Sequence, residues 1–250
     1  MMEPKLMIQR LQRLNAGNNA TCQVCRGENP DIANALGPWF SCDPREHGDC
    51  IAFVGKIARG DGLGTLISER LEDVEDFGST FIKESTWPYW SYTRSIMEKV
   101  FGSFELALPR TNFTNLIKCN NSTTPDTSTQ SQRIRCIQEN QFILKELEVA
   151  SPKVVIFYAG TGYDEYIESI KPQTAVRYED EEKVTISIGA KYLPWWSRKY
   201  FAADGTLLTN FLRIGHPERM KKDPYTEKVA QWIAESLNSH EPNKKVNWTP

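Results

Sequence analysis

The stretch KVVIFYAG, Lys153 to Gly160, decides the fold class. A strand with one wet face alternates apolar and polar residues. This one runs apolar without a break from Val154 to Ala159 and is rich in β-branched and aromatic side chains, the pattern of a strand buried on both faces of a parallel sheet. Three other short, largely apolar runs are read the same way: CIAFVG (Cys50 to Gly55), FTNLIK (Phe113 to Lys118) and NFLRIG (Asn210 to Gly215). Each is followed by a loop and then by a helix-like segment, which is the βα rhythm. The expectation is an α/β domain with a central, mostly parallel four-stranded sheet flanked by helices.

The clearest helix spans 132–149, with Ile134, Ile137, Leu144 and Leu147 on one face and a Ser/Thr-rich stretch before it to supply caps. A last helix near 224–238 starts at Asp223-Pro224 and aligns Val229, Trp232, Ile233 and Leu237. Between the third and fourth runs, VRYEDEEKVTISIG reads as an inserted β-hairpin with an acidic turn. Residues 1–250 form a single domain in this reading, with a core over 22–238 and a tail over 239–250.

A formal net charge of -2 gives no global attraction to nucleic acid, so any such affinity must come from a local patch. No apolar run approaches the roughly 20 residues that span a bilayer. The opening MMEPKLMIQRLQRLNAG is too charged for a signal peptide and reads as an amphipathic helix. A cytoplasmic, reducing compartment and no membrane partner follow as expectations. There, six cysteines are thiols or metal ligands before they are a disulfide framework.

In open α/β sheets, ligands bind beyond the carboxyl ends of the strands. The residues there are Gly55-Lys56, Asn115 to Cys119, Gly160-Thr161-Gly162 and Gly215-His216-Pro217. An asparagine inside a β-branched run is unfavourable for a strand and asks for a reason. Pro217 restrains His216 to extended geometry at a sheet edge.

Taken in order, FVGKIARG, FGSTFIK, TNLIKC, SPKVVIFYAG and GHPER resemble the motifs of the uracil-DNA glycosylase superfamily, most closely its branch carrying an iron–sulfur cluster. The resemblance runs from about Cys22 to about Ile233. It implies a three-layer α/β/α fold, action on uracil or a related deaminated base flipped out of single- or double-stranded DNA, and a monomer. Carried over residue by residue, it makes Phe81 the aromatic floor under the base and Asn115 the reader of the uracil edge. His216 becomes the donor to the base oxygen, and Gly55 and Lys56 part of the substrate turn. The chain departs from the family in that turn, where Lys56 stands and the usual proline is missing. Asp61, further along the altered loop, is left as the candidate to hold the attacking water. This departure keeps open a slow glycosylase, a changed base preference, or a nucleic-acid binder that does not cut.

The branch with a cluster places a CxxC near the N-terminus, a cysteine at the end of the asparagine strand and another in the next helix. Cys22, Cys25, Cys119 and Cys136 fill that pattern and imply a structural 4Fe-4S cluster. Two alternatives stand beside it: a zinc ribbon on Cys22, Cys25, Cys42 and Cys50 with His47 nearby, in effect a zinc-containing interaction module, and plain buried thiols. Arg133 and Arg135, with Arg219, Lys221 and Lys222, are expected to flank the mouth as phosphate contacts or as a solvated face. The aromatic stretches STWPYW (Ser85 to Trp90) and YLPWWSRKY (Tyr192 to Tyr200) read as a wedge, a stacking platform or buried core.

Overall fold

The computed structural model describes residues 19–29, 32–35, 39–57, 82–121 and 128–240. The strands are β1 (Ile32–Ala35), β2 (Trp39–Phe40), β3 (Ile51–Ile57), β4 (Thr111–Ile117), β5 (Cys119–Asn121), β6 (Val154–Tyr158), β7 (Arg177–Asp180), β8 (Val184–Ile188), β9 (Lys191–Phe201) and β10 (Leu207–Ile214). The helices used below are α1 (Ala20–Glu28), α2 (Pro88–Phe101), α3 (Gln130–Arg133), α4 (Phe142–Ala150), α5 (Asp164–Glu168) and α6 (Lys222–His240).

The four apolar runs become β3, β4, β6 and β10, which pair parallel in the order β4-β3-β6-β10. They sit inside a larger mixed sheet of eight strands, which corrects the four-stranded expectation. β2 adds antiparallel to β4, β9 to β10, and both β7 and β8 to β9. β1 and β5 form a separate two-stranded ribbon. β2 and β9 escaped notice because β2 has only two residues and β9 mixes aromatic, charged and proline residues; β7 and β8 fall in the segment read as a hairpin.

Alternate residues of the central strands enter two cores. Ile51 and Phe53 pack with Ile96 and Met97 of α2 and Val229 and Ile233 of α6, while Ala52 and Val54 pack with Ile143 and Leu147 of α4 and Ile167 of α5. All five residues of β6 are fully buried, and each large apolar side chain among them contributes about 1.5–3 kcal/mol. Helices therefore cover both faces. Pro88 opens α2 at its first position, and Gly102 ends it with φ 90.

The segment expected as one helix over 132–149 is broken. α3 starts with a capping box between Thr129 and Gln132 and runs into a π-helical turn over Ile134–Glu139. Gln141, at φ 53, then resets the chain before α4. The wide turn brings adjacent Cys136 and Ile137 both into buried positions, an arrangement π turns often serve at functional sites. The inserted hairpin is also redrawn: β7 and β8 do not pair with each other but lie end to end along β9. The tight turn is at Gly189, φ 59, between β8 and β9. In YLPWWSRKY, Trp195, Trp196 and Tyr200 are core residues, while Tyr192 at its start is exposed. The opening helix (residues 1–18) and the end of the tail (241–250) lie outside the described residues. No helix among the described residues is long and apolar enough to cross a membrane.

Candidate functional site

From β3 the chain steps outward to β4, then returns past β3 to β6. The crevice between β3 and β6 is thus a point where strand order reverses, the usual ligand position in such sheets. Gly55 and Asn115 are direct neighbours across the β3–β4 pair. The room a side chain would need at Gly55 is taken by the Asn115 carboxamide and by the Tyr89 ring, whose Cε2 lies 3.6 Å from the position of a Cβ.

Tyr89 sits in the first turn of α2, half-buried. It meets Tyr158, at the carboxyl end of β6, edge-on with centroids 5.4 Å apart. Its other face looks to His216, centroids 6.0 Å apart and planes 21° from parallel. Thr93 Oγ1 donates to the Tyr89 carbonyl at 2.7 Å and lies 3.0 Å from the Tyr158 hydroxyl. Burial pushes the Tyr89 phenol well above its ordinary pKa. One aromatic thus touches groups from the ends of three of the parallel strands.

His216 follows β10 with φ -60 and ψ 138, the extended geometry its proline demands. Its Nδ1 accepts the Glu218 N–H at 3.3 Å. With Nδ1 accepting, the neutral ring carries its proton on Nε2, whereas a protonated ring would pair with the Glu218 carboxylate, 3.9 Å from the same Nδ1. The loop is tied down on both sides: the Tyr225 hydroxyl donates to the Gly215 carbonyl at 3.1 Å, and the Tyr92 hydroxyl to the Met220 carbonyl at 2.6 Å. Lys56, half-buried, follows Gly55 on β3. Asp61 and Phe81 lie outside the described residues. Ile82, next to Phe81, is fully buried, and Arg94 donates to its carbonyl at 2.8 Å and to that of Ser85 at 3.3 Å.

Tyr92 and Tyr225 were missed in the sequence, and Tyr89 was read only as part of the aromatic stretch STWPYW. The available signal was Pro88, which starts a helix and so places Tyr89 in its first turn, at the sheet's edge.

Cys22, Cys25, Cys119 and Cys136 all line one cleft of about 380 Å³, part of it open to solvent, together with Arg26, Lys118, Gln132, Arg135, Asn140 and Phe142. None of the four is in a disulfide. Three of the sulfurs have N–H donors pointed at them: Lys118 N on Cys136 at 3.4 Å, Asn140 Nδ2 on Cys22 at 3.7 Å and Asn29 Nδ2 on Cys25 at 3.8 Å. Donors aimed at sulfur, with Arg26, Lys118 and Arg135 alongside, suit thiolates rather than thiols. Burial acts the other way on the thiols, pushing that of Cys136 up to about 12 and that of Cys119 to about 11. A metal centre would reverse this and release the protons. Among the described residues, no three His, Cys, Asp or Glu form a group that could hold a metal ion.

Cys42 and Cys50 are joined to each other, Cα atoms 5.8 Å apart. That pairing corrects both the expectation of six thiols or ligands and the zinc ribbon, whose second pair is consumed. The basic residues are redistributed as well. Arg135 pairs with Glu28 and Glu139 at the cysteine cleft, and Arg133 lies 4.5 Å over the Tyr163 ring while donating to the Ser128 carbonyl. Neither is a ready phosphate contact. Lys221 is exposed and Lys222 half-buried beyond the histidine loop.

In comparisons with known proteins, no family model and no curated sequence matches this chain.

Proposed function

We propose that this chain is a DNA-repair glycosylase, built on the uracil-DNA glycosylase three-layer plan, that hydrolyses the N-glycosidic bond of uracil or a related deaminated base flipped out of DNA. The observation that carries the reading is that the Asn115 carboxamide and the Tyr89 ring both crowd Gly55, while the same ring stacks on His216.

The chemistry needs the base outside the stack, because its reacting carbon is hidden in the duplex. One carboxamide, Asn115, offers a donor and an acceptor to the edge of a single pyrimidine. As the C–N bond breaks, the sugar gains oxocarbenium character and the base leaves as an anion. His216, with its proton on Nε2, donates to the oxygen where that charge gathers, a contribution of about 2.7–4 kcal/mol for a preorganised donor. The half-buried Lys56 adds positive charge beside the same turn. Phe81 supplies stacking, worth about 1–3 kcal/mol per base, and Asp61 holds the water whose oxygen joins the sugar.

Cys22, Cys25, Cys119 and Cys136, which line one cleft and are in no disulfide, would hold a four-iron cluster. When bound, the cluster supplies a staple between α1 and the end of β4, and no step passes through it.

The test is release of free base from single- and double-stranded oligonucleotides carrying uracil or another deaminated base, using protein purified with its metal intact. Release of uracil supports the reading. Salt-sensitive binding without release points instead to a nucleic-acid binder on the same fold, the reading favoured by the lysine at position 56.

A further inference from the structure

Asparagine amides stand against both sulfurs of the Cys22 and Cys25 pair, and the direction of each is set by a group that can only donate. The backbone N–H of Cys22 donates to Asn19 Oδ1 at 2.8 Å. A carboxamide that accepts at its oxygen presents N–H at its other end, and Asn19 Nδ2 donates to Asn140 Oδ1 at 2.7 Å. Asn140 is thereby turned with its own nitrogen towards Cys22 Sγ, 3.7 Å away. The three bonds start at the Cys22 backbone and close on the Cys22 sulfur. Their order cannot be reversed, because the first donor cannot accept. The sulfur is left as the acceptor.

The second sulfur is met in a similar way. Gln132 N–H donates to Thr129 Oγ1 at 3.1 Å, so the single hydroxyl proton of Thr129 goes to Asn29 Oδ1, at 2.7 Å. Asn29 Nδ2 therefore faces the last turn of α1. There it donates to the Cys25 carbonyl at 2.8 Å and lies 3.8 Å from Cys25 Sγ. An uncharged thiol sulfur is a weak acceptor, whereas one carrying negative charge, as a metal ligand does, takes a stronger bond. Both sulfurs line the cleft shared with Cys119 and Cys136.

We propose that Asn140 and Asn29 are positioning residues for a metal centre on these four cysteines, each donating to a metal-bound sulfur, and that Asn19 acts through Asn140 by setting its direction. The proposal rests on the metal reading of the cysteines and is independent of the glycosylase reading.

The experiment uses the full chain purified without oxygen, with two measurements: loss of bound metal to a competing chelator and, for an iron centre, the midpoint potential of its visible absorbance. Asn140→Asp and Asn29→Asp keep the side-chain shape and replace the donor with an oxygen. Each should weaken metal retention by roughly 10- to 100-fold. Each should also lower the midpoint potential of an iron centre, since N–H bonds to sulfur favour its reduced, more negative state. Asn19→Asp still caps α1, but it offers a carboxylate to which the Asn140 nitrogen should turn, leaving the Asn140 oxygen against Cys22. It should therefore shift both measurements in the same direction as Asn140→Asp, with helix content by circular dichroism unchanged. Folded aspartate variants that match the parent in metal retention overturn the proposal, whichever metal is bound. If Asn140→Asp does not fold, Asn19→Asp decides alone, and parental retention there is equally fatal. A parent that carries neither iron nor zinc defeats the metal reading and the proposal together, whereas a metal-bearing parent with indifferent variants defeats the proposal only.

Discussion

A Cβ on Gly55 would stand 2.3 Å from the carboxamide oxygen of Asn115, a separation no real pair of atoms sustains. The glycine is what lets the amide lie across the neighbouring strand. In Gly55→Ala the methyl must displace that oxygen, and the free end of a side chain moves cheaply. Stability should therefore stay within about 1 kcal/mol of the parent, since alanine also lowers the entropy cost of a strand glycine. Uracil excision should fall by about 10²-fold or more, as it does when a hydrogen-bonding site is misaligned. Thermal unfolding beside excision rates decides it: an unchanged rate would remove Asn115 from base reading.

His216→Ala should lower the excision rate on the order of 10²–10³-fold with a smaller effect on DNA affinity, because the bond it makes strengthens as charge develops. His216→Gln, which keeps a donor, should recover part of the loss. Rates measured under single-turnover conditions separate this from slower product release. Equal rates for all three proteins would leave the oxyanion without its assigned donor.

The cleft predicts a brown protein. Cys119→Ser and Cys136→Ser should each abolish the broad visible absorbance and lower bound iron, with a fall in the unfolding midpoint as the link between α1 and β4 is lost. Cys42→Ser should leave colour and iron unchanged, since Cys42 is paired with Cys50 away from the cleft. A colourless protein with stoichiometric zinc would replace the cluster by a mononuclear site.

The parallel centre of the sheet was legible because burial on both faces leaves only one composition, an unbroken apolar run such as Val154 to Tyr158. The outer strands were not, because a half-wet strand like Lys191 to Phe201 has the same mixture of residues as a loop. In the site, Asn115 and His216 were readable as polar residues out of place at strand ends. Tyr89 was not, since an aromatic in a helix is ordinary core until the neighbouring strand supplies a glycine for it to face. The break at Gln141 was invisible for another reason: a π turn keeps helical composition and shifts only the phase. The Cys42–Cys50 pair depended on a turn that brings the two together and on nothing in their spacing.

Behind the cysteine cleft, Lys118 and Glu146 form an ion pair in which both side chains are nearly inaccessible, at 3% and 6% exposed. Lys118 Nζ also donates to Thr114 Oγ1 at 2.6 Å, and Thr114 in turn donates to Glu146 at 2.7 Å. Glu146→Gln would leave the ammonium buried without its countercharge, at a cost of about 3–5 kcal/mol. Lys118→Met combined with Glu146→Leu should recover much of that, since an apolar pair of similar volume removes the stranded charge. Denaturant unfolding of the two variants and the parent measures the difference. If the single variant is as stable as the parent, the pair is not the buried charge couple described.

Glu28 is the acid-sensitive link between the two cysteine-bearing segments. Its carboxylate accepts from Arg135 Nη2 at 2.6 Å and Nε at 3.0 Å, and also from the Ser131 hydroxyl. The Arg135 hydrogen bonds, then that of Ser131, hold its pKa at about 2 against an ordinary 4.5. A folded pKa below the unfolded one means the folded state prefers the charged form. The stabilisation is thus complete above about pH 4.5 and fades as pH falls towards about 2. The pair is exposed, so added salt should weaken it. Urea midpoints for the parent and Glu28→Gln, followed from pH 6 down to pH 2 at low and high salt, should converge on acidification and differ less at high salt throughout. A gap that stays constant with pH would mean that Glu28 works through packing, and that α1 is held to α3 chiefly by the neutral bonds of Asn19 with Asn140 and Asn29 with Thr129.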